Sequence, residues 1–344
     1  MFDNLRVIVT TPLQLRYAAS LAQHGSFRRA AATLRISQPA LTKSIQTLES
    51  DLGVKLFERR REGVIPTEFG KLALKHAQDM LLVESEFLRQ INLLAGLETG
   101  SVSVALGPLP NAMSSYPAAG ALLSKHPNLR ITLQSIAWRE VTQAVVDKKV
   151  DLGIAELSGA VLDDSLQTEL VGQHRAHFCC RAGHPILRER AITMKQLLNY
   201  PWATTRLPPR QAAALPRDTG RAGSIDSLSG DFIPAVDVGA PSNLGRLVER
   251  TEVLVLCTLS LVEPDLRSGG VVIVPTPGLD LRASYGFIYL KSRPVSPATQ
   301  AFMAEIRAHE RSLAVHEREL EAKFGHAGKQ AHVQLQPGRS RLKS

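Results

Sequence analysis

The stretch from Ser26 to Lys43 constrains the fold more tightly than any other part of the chain. Phe27, Ala30, Ala31 and Leu34 recur at i, i+3, i+4 and i+7, which is one apolar face of a helix. Gly25 stops any helix before it, and Ser26 stands where its hydroxyl can accept from the free N–H groups of the new helix. Arg35 and Ile36 make a turn, and Ser37 caps a further helix. Pro39 is tolerated near the start of that helix, because the N–H groups there have no helical partner. Leu41, Ile45, Leu48 and Leu52 form its buried stripe. Gln38, Thr42, Lys43 and Gln46 are left on other faces near its beginning. Amides pair with adenine, cations with guanine or phosphate, and hydroxyls with either, so such a helix end suits the major groove. The pattern alone leaves two readings open: a helix-turn-helix, or a small helical core with solvated polar residues outside.

A longer run of residues separates them. Gly25-Ser26-Phe27, Ala30-Ala31, Leu34, the run Ser37 to Thr42, Ile45, Leu48-Glu49, the run Leu52 to Arg59 and Thr67-Glu68-Phe69-Gly70 stand in order. From Leu15 to Gly70 the chain thereby resembles the N-terminal domain of LysR-type transcriptional regulators. The resemblance implies a sequence-specific DNA-binding regulator; separately, the lack of catalytic and ligand motifs leads us to expect neither enzyme activity nor a cofactor. The regulator's implied partners are a double-stranded DNA operator, a small-molecule effector, further copies of itself as a dimer of dimers, and RNA polymerase. Residues 11–70 would be the winged helix-turn-helix domain. Ser26, Ser37, Gln38, Pro39, Ala40, Thr42, Lys43, Gln46, Arg59 and Arg60 would contact DNA.

A chain of 344 residues is too long for one ordinary core, so two or more domains are expected. Its 44% hydrophobic and 21% charged content is that of a globular protein. No run of about 18 apolar residues is present to span a membrane. Met1 to Thr11 lacks the basic-then-apolar layout of a signal peptide, which points to the cytoplasm. The three cysteines fit a reducing compartment. Cys179 and Cys180 adjoin in an expected strand, so their side chains should face opposite ways. They and Cys257 read as small core residues. The formal net charge of +9 concentrates at Arg59-Arg60-Arg61 and in the last twenty residues, with Lys329, Arg339, Arg341 and Lys343. A basic surplus permits nucleic-acid binding without showing it.

Along the chain, Pro12 opens the first helix, with Leu15, Ala18, Ala19 and Ala22 on one face. After Gly53, the runs Val54–Arg59 and Val64–Pro66 make a hairpin whose basic tip can neutralise phosphate. Thr67 caps a long helix to about Leu97, and residues 71–99 form a linker. Ala73, Ala77, Met80, Glu84, Phe87, Ile91 and Leu94 are spaced alternately four and three, a heptad seam broken only by Glu84. About 30 residues at roughly 1.5 Å each span about 45 Å, more than a small domain needs for its own core. The apolar seam residues are therefore expected to dimerise.

From Ser101 the rhythm becomes strand, helix, strand, helix, strand: Val102–Leu106, Asn111–Ser124, Leu129–Leu133, Arg139–Lys148 and Val150–Ala155. That order implies a largely parallel α/β sheet. A similar set follows, with strands near His177–Cys180 and Val253–Cys257 and helices near Met194–Leu198 and Asn243–Arg250. Strand Tyr285–Leu290 and a helix from Pro297 to about His309 should return to the first set. Here the resemblance is architectural: a two-lobed α/β effector-binding domain of periplasmic-binding-protein type over 101–312. Lobe I would hold about 101–165 and 273–312, and lobe II about 166–272. Part of 205–231, rich in Pro, Arg, Ser and Gly, reads as a mobile loop. Residues 313–344 read as a charged helix followed by a basic disordered tail from Gly325.

There is no GxGxxG after a strand, no GxxxxGK[ST] and no Gly-x-Ser-x-Gly elbow, and His174 and His177 near Cys179 lack a ligand spacing. Two other classes share parts of the pattern. A solute-binding or sensor protein would have the two lobes but no use for residues 26–59. A nucleoid-type DNA binder would have no use for the effector half. In the effector half, ligands should sit beyond the carboxyl ends of strands. Pro108, Leu109, Pro110 and Asn111 follow the first strand, where free N–H groups at a helix start favour an anion. Ser135 to Trp138 follows the next, with Trp138 either an aromatic wall or lobe-interface core. Thr204, Thr205 and Arg206, with Ser242 and Asn243, come from lobe II. Arg206 is the obvious cation among them, so a small organic anion is expected.

Overall fold

The structure is a computed structural model that describes residues 10–60, 63–95, 100–189, 191–241, 244–276 and 280–325. The chain divides into two units, residues 1–94 and 95–344.

The first unit begins with α1 (Pro12–His24), α2 (Phe27–Leu34) and α3 (Gln38–Leu52). Each start is capped: Thr11, Ser26 and Ser37 accept from the N–H groups of Gln14, Arg29 and Ala40. Gly25 and Gly53 end α1 and α3 in the left-handed conformation, and Arg35 ends α2 the same way at φ 56°. Leu21, Ala30, Leu41, Ile45, Leu48 and Leu56 form the core, while Leu52 is half-buried. Full burial of one such leucine contributes about 1.5–3 kcal/mol. The hairpin is β1 (Phe57–Arg60) with β2 (Gly63–Pro66). It is shorter than expected at its first strand. Buried Glu49 accepts the N–H groups of Leu56 and Phe57 at 2.9 and 3.2 Å, at the point where the strand begins. α4 (Glu68–Ala95) follows, with Thr67 Oγ1 accepting from Gly70 N–H at 3.0 Å. A Cβ on Gly70 would lie 2.0 Å from the Leu56 carbonyl oxygen, so only glycine lets the helix pass the hairpin base.

The second unit contains β3 (Ser101–Leu106), α5 (Pro108–Met113), α6 (Ser115–Lys125), β4 (Arg130–Ser135), α7 (Trp138–Val146) and β5 (Leu152–Ala155). β3 pairs in parallel with β4 and β5. The single helix expected over 111–124 is broken at Ser114. Pro117 has no N–H for the Met113 carbonyl, which instead lies 3.2 Å from His309 Nε2. Then come β6 (Leu166–Arg181), α8 (Met194–Leu198), β7 (Trp202–Thr204), α9 (Pro209–Ala212), β8 (Gly223–Ile225), β9 (Phe232–Pro234) and β10 (Val236–Asp237). α10 (Leu244–Val248), β11 (Leu254–Cys257), α11 (Glu263–Ser268), β12 (Val271–Ile273), β13 (Leu281–Leu290) and α12 (Pro297–Phe324) complete it. The main sheet runs β10-β7-β11-β6-β13-β5-β3-β4, with β12 also on β6. β6 and β13 are the antiparallel crossover strands joining two α/β lobes. Four apolar clusters cover both faces of both lobes.

Three expectations need correction. The lobe boundary does not fall before Leu166. Residues 166–176 pair with β13, and only from His177 does β6 pair with β11 and β12. The stretch 205–231, expected to be in part a mobile loop, carries α9 and β8, the first strand of the hairpin β8–β9, and buries Ala222 and Asp231. Residues 313–324 are helical as expected but do not form a separate segment, because α12 is continuous from Pro297 to Phe324. Phe302 and Ile306 pack in the lobe I cluster, and Leu320 packs with Val255 and Ile273 of lobe II. The tail beyond Gly325, residues 1–9, Arg61 and Glu98-Thr99 lie outside the described residues.

Candidate nucleic-acid interface and ligand cleft

In the first unit, the start of α3 is open to solvent. Ser37, Gln38, Pro39, Ala40, Lys43 and Gln46 are exposed, and Thr42 and Ser26 are half-buried. The Thr42 hydroxyl donates to the Gln38 carbonyl at 2.9 Å, leaving its oxygen to accept. Ser26 and Ser37 already accept at their helix starts, at 3.5 and 3.3 Å, which leaves each a proton to donate. Arg59 and Arg60 are exposed on the hairpin. The Arg59 guanidinium sits 5.5 Å from the centre of the Phe27 ring, and Arg60 is held by Glu58 at 2.9 Å. Arg28, Arg29 and Arg35 are also exposed, and no acid occurs between Ser26 and Thr47. The sequence reading passed over these three cations, although the acid-free run was visible in it. Such a surface suits a polyanion.

On α4 the expected seam is displaced. Ala77 is buried, and Ala73 packs half-buried against the core of this unit. Glu84 accepts from Arg16 at 2.9 Å. Met80, Phe87 and Ile91 are exposed, together with Phe69, Leu72 and Val83, which the heptad count missed. These six residues fall on one side of the helix when turned by 3.6 residues per turn. The Leu94 side chain lies outside the described residues.

In the second unit, a cleft of about 690 Å³, including its open mouth, lies between the lobes beyond the carboxyl ends of β3 and β5. Pro108, Leu109, Pro110, Trp138, Thr204, Thr205 and Arg206 line it, as expected. Trp138 serves both readings: it is 8% exposed in a lobe I core cluster and also lines the cleft. Ser135 to Ala137 line an adjoining outer cavity that shares Trp138 and Arg206 with the cleft. Asn111 does not line the cleft, and Ser242 and Asn243 lie outside the described residues. The sequence reading missed Glu156, Gln211, Thr258, Ser284 and Tyr285. Glu156 directly follows β5, so the rule that placed Pro108 after β3 could have found it.

Three supports of the anion expectation change in the structure. Arg206 Nε donates to Asp237 Oδ2 at 2.7 Å, so this cation is already paired. Pro108 and Pro110 have no N–H, and Gly107 N–H donates to the Ile154 carbonyl at 2.9 Å, so the start of α5 offers few free donors. Asn111 is absent from the wall. Behind the cleft, Tyr285 donates to Glu310 Oε1 at 2.6 Å, and His174 Nε2 lies 2.8 Å from Glu310 Oε2. Burial opposes the charge on Glu310, yet the contacts from His174 and Tyr285 outweigh it and hold the carboxyl below its usual range. Cys179 and Cys180 enter clusters on opposite faces of the sheet, as expected. The neighbouring Cys257 and burial push the Cys179 thiol up, and burial pushes Cys180 up, which makes both poor nucleophiles. Among the described residues no acid, His and Cys group could hold a metal, and no helix is long and apolar enough to cross a membrane.

Two family models match the chain. "Bacterial regulatory helix-turn-helix protein, lysR family" covers residues 13–71, and "LysR substrate binding domain" covers residues 95–311. The chain is 32% identical over 292 residues to the SDS degradation transcriptional activation protein of a Pseudomonas species, across 84% of this chain and 92% of that one. It is 29% identical over 297 residues to the transcriptional regulator GbpR of Azospirillum brasilense, across 86% of this chain and 85% of that one. A probable transcriptional regulator of Pseudomonas aeruginosa, PA0477, has a similar fold at a TM-score of 0.62 and 17% identity, over 87% of this chain and 97% of that one. CbnR, a LysR-family regulator, is similar at a TM-score of 0.55 and 19% identity, over 88% and 99% of the two chains.

Proposed function

We propose, from the premise that this chain belongs to the LysR-type family of DNA-binding transcriptional regulators, that it reads a partly palindromic operator and changes transcription when a small molecule enters the cleft. The observation that carries this reading is the exposed start of α3, where Gln38, Thr42 and Lys43 stand beside a surface free of acids from Ser26 to Thr47. Gln38, Thr42 and Lys43 face the major groove, with Gln46 further along the helix. Ser26, Ser37, Pro39, Ala40, Arg59 and Arg60 lie nearer the phosphates.

Two half-sites need two recognition helices held at a fixed spacing. The exposed stripe of Phe69, Leu72, Met80, Val83, Phe87 and Ile91 supports pairing of α4 with its copy, and a dimer of such dimers spans the operator. The protein acts in the cytoplasm on double-stranded DNA and signals to RNA polymerase, and it catalyses no reaction. Selection from a randomised duplex pool tests this. Enrichment of one sequence with two related half-sites supports the reading, and a pool that stays random removes it.

A further inference from the structure

We propose that the cleft takes an organic amine, with an apolar body against Leu109, Trp138 and Leu281 and a protonated nitrogen donating to Glu156. This rests on the reading of the cleft as the effector site.

The charges around the cleft carry the inference. Arg206 lines the cleft and Arg139 the adjoining outer cavity, and each is paired: Arg206 through Nε with Asp237 at 2.7 Å and Arg139 with Asp231 at 2.6 Å. Asp226 lies within electrostatic range of both, and Glu156 within range of Arg139. Glu156 lines the cleft and Asp231 and Asp237 its outer cavity, so with Asp226 in range four carboxylates surround two cations, which disfavours an incoming anion and favours an ammonium. Glu156 has no ion-pair partner among the described residues. Among the described residues its two oxygens accept only from Ser158, from the N–H at 2.8 Å and the hydroxyl at 2.6 Å. An ionised carboxylate has about four acceptor positions, so two remain for a ligand nitrogen.

Two side-chain donors of the wall are committed elsewhere. Gln211 Nε2 donates to the Arg282 carbonyl at 3.0 Å, and Tyr285 donates to Glu310. Two of the first three residues of α5 are prolines without an N–H. The rest of the wall is mostly apolar, which favours a hydrocarbon body.

Matched probes test the charge and the place together. The series butylamine to octylamine, the alkanoates and alkanols of the same lengths, and phenethylamine with 3-phenylpropionate are titrated calorimetrically into the full chain up to millimolar concentration. The same titrations use Glu156→Gln and Ala283→Trp, the latter to fill the cleft, with circular dichroism establishing that each variant is folded. The proposal expects amines to bind more tightly than their matched acids, with about a tenfold loss in Glu156→Gln and loss in Ala283→Trp. Acids that bind better than amines, and are lost in Ala283→Trp, overturn the amine while leaving the cleft as the effector site. Amines that bind equally in Glu156→Gln overturn the role of that carboxylate. Amine binding indifferent to Ala283→Trp, or no binding by any probe, overturns the inference together with the cleft reading beneath it.

Discussion

Arg206 Nε lies 2.7 Å from Asp237 Oδ2, and this pair decides what the one obvious cation of the cleft can do. A guanidinium held by its own protein's carboxylate is a weak trap for a foreign one. The pair is about half exposed, with side-chain exposures of 50% and 38%, so its strength falls with salt. Asp237→Asn should therefore free Arg206 and shift the cleft toward acids, most clearly at low ionic strength. Calorimetry with octanoate against octylamine checks this. An unchanged acid-to-amine ratio in the variant would mean that Asp237 does not set the charge preference.

The end of α12 should hold lobe II in place. Glu317 is buried and accepts the N–H groups of Leu259 and Ser260, both at 3.0 Å. Glu317→Ala leaves two donors without a partner, at a cost of about 1–3 kcal/mol each if water cannot replace them. Exposed Glu319 on the same helix should change stability by less than about 0.5 kcal/mol when made alanine. Urea unfolding of both variants measures the difference, and equal midpoints would contradict the role given to 313–324.

Acid should weaken the second unit through Glu310. Its carboxyl is held below the usual value of 4.5, so the folded state binds fewer protons there than the unfolded chain. Its contribution is complete above about pH 4.5 and is lost as pH falls through the lower folded value. Tyr285→Phe removes one of the bonds that depress it, so the acid limb of the stability curve should begin at higher pH. Burial depresses His177 below 6.5, which adds a loss in the same direction as pH drops below that value. Urea midpoints from pH 7 to about pH 4.5 follow His177, and those from about pH 4.5 to about pH 2 follow Glu310; a curve flat over either range would exclude the group assigned to it.

Local chemistry made much of this readable in advance. Caps at Ser26 and Ser37, the left-handed Gly25 and Gly53, and the period of Leu41, Ile45 and Leu48 are all written within a few residues of where they act. What escaped depends on partners far along the chain. β6 does not alternate cleanly between apolar and polar, because its polar residues are met by α12: Glu169 by Arg307, His174 by Glu310 and Arg175 by Glu321. No window of sequence shows a strand whose charges are neutralised more than a hundred residues later. The seam on α4 was misplaced for a similar reason. Ala73 and Ala77 look like seam residues by spacing, but the core of their own unit takes that side of the helix. In the cleft, sequence could place Arg206 but not Asp237 beside it.

The corrected face of α4 makes a prediction on assembly. Phe87→Glu with Ile91→Glu puts like charges into the contact between copies, which is costly once desolvated. Sedimentation should show the dimer weakened and operator affinity reduced with it. Unchanged sedimentation would remove this face from the assembly.

Operator affinity of Gln38→Ala and Arg59→Ala, measured over a range of salt on the selected operator and its single-base variants, bears on the whole reading. Gln38→Ala should cost about 1–3 kcal/mol and relax the base preference at one position in each half-site. Arg59→Ala should weaken all sequences alike and flatten the salt dependence by about one unit. If both variants bind the operator and its base variants as the parent chain does, the start of α3 and the basic hairpin do not read DNA in this protein.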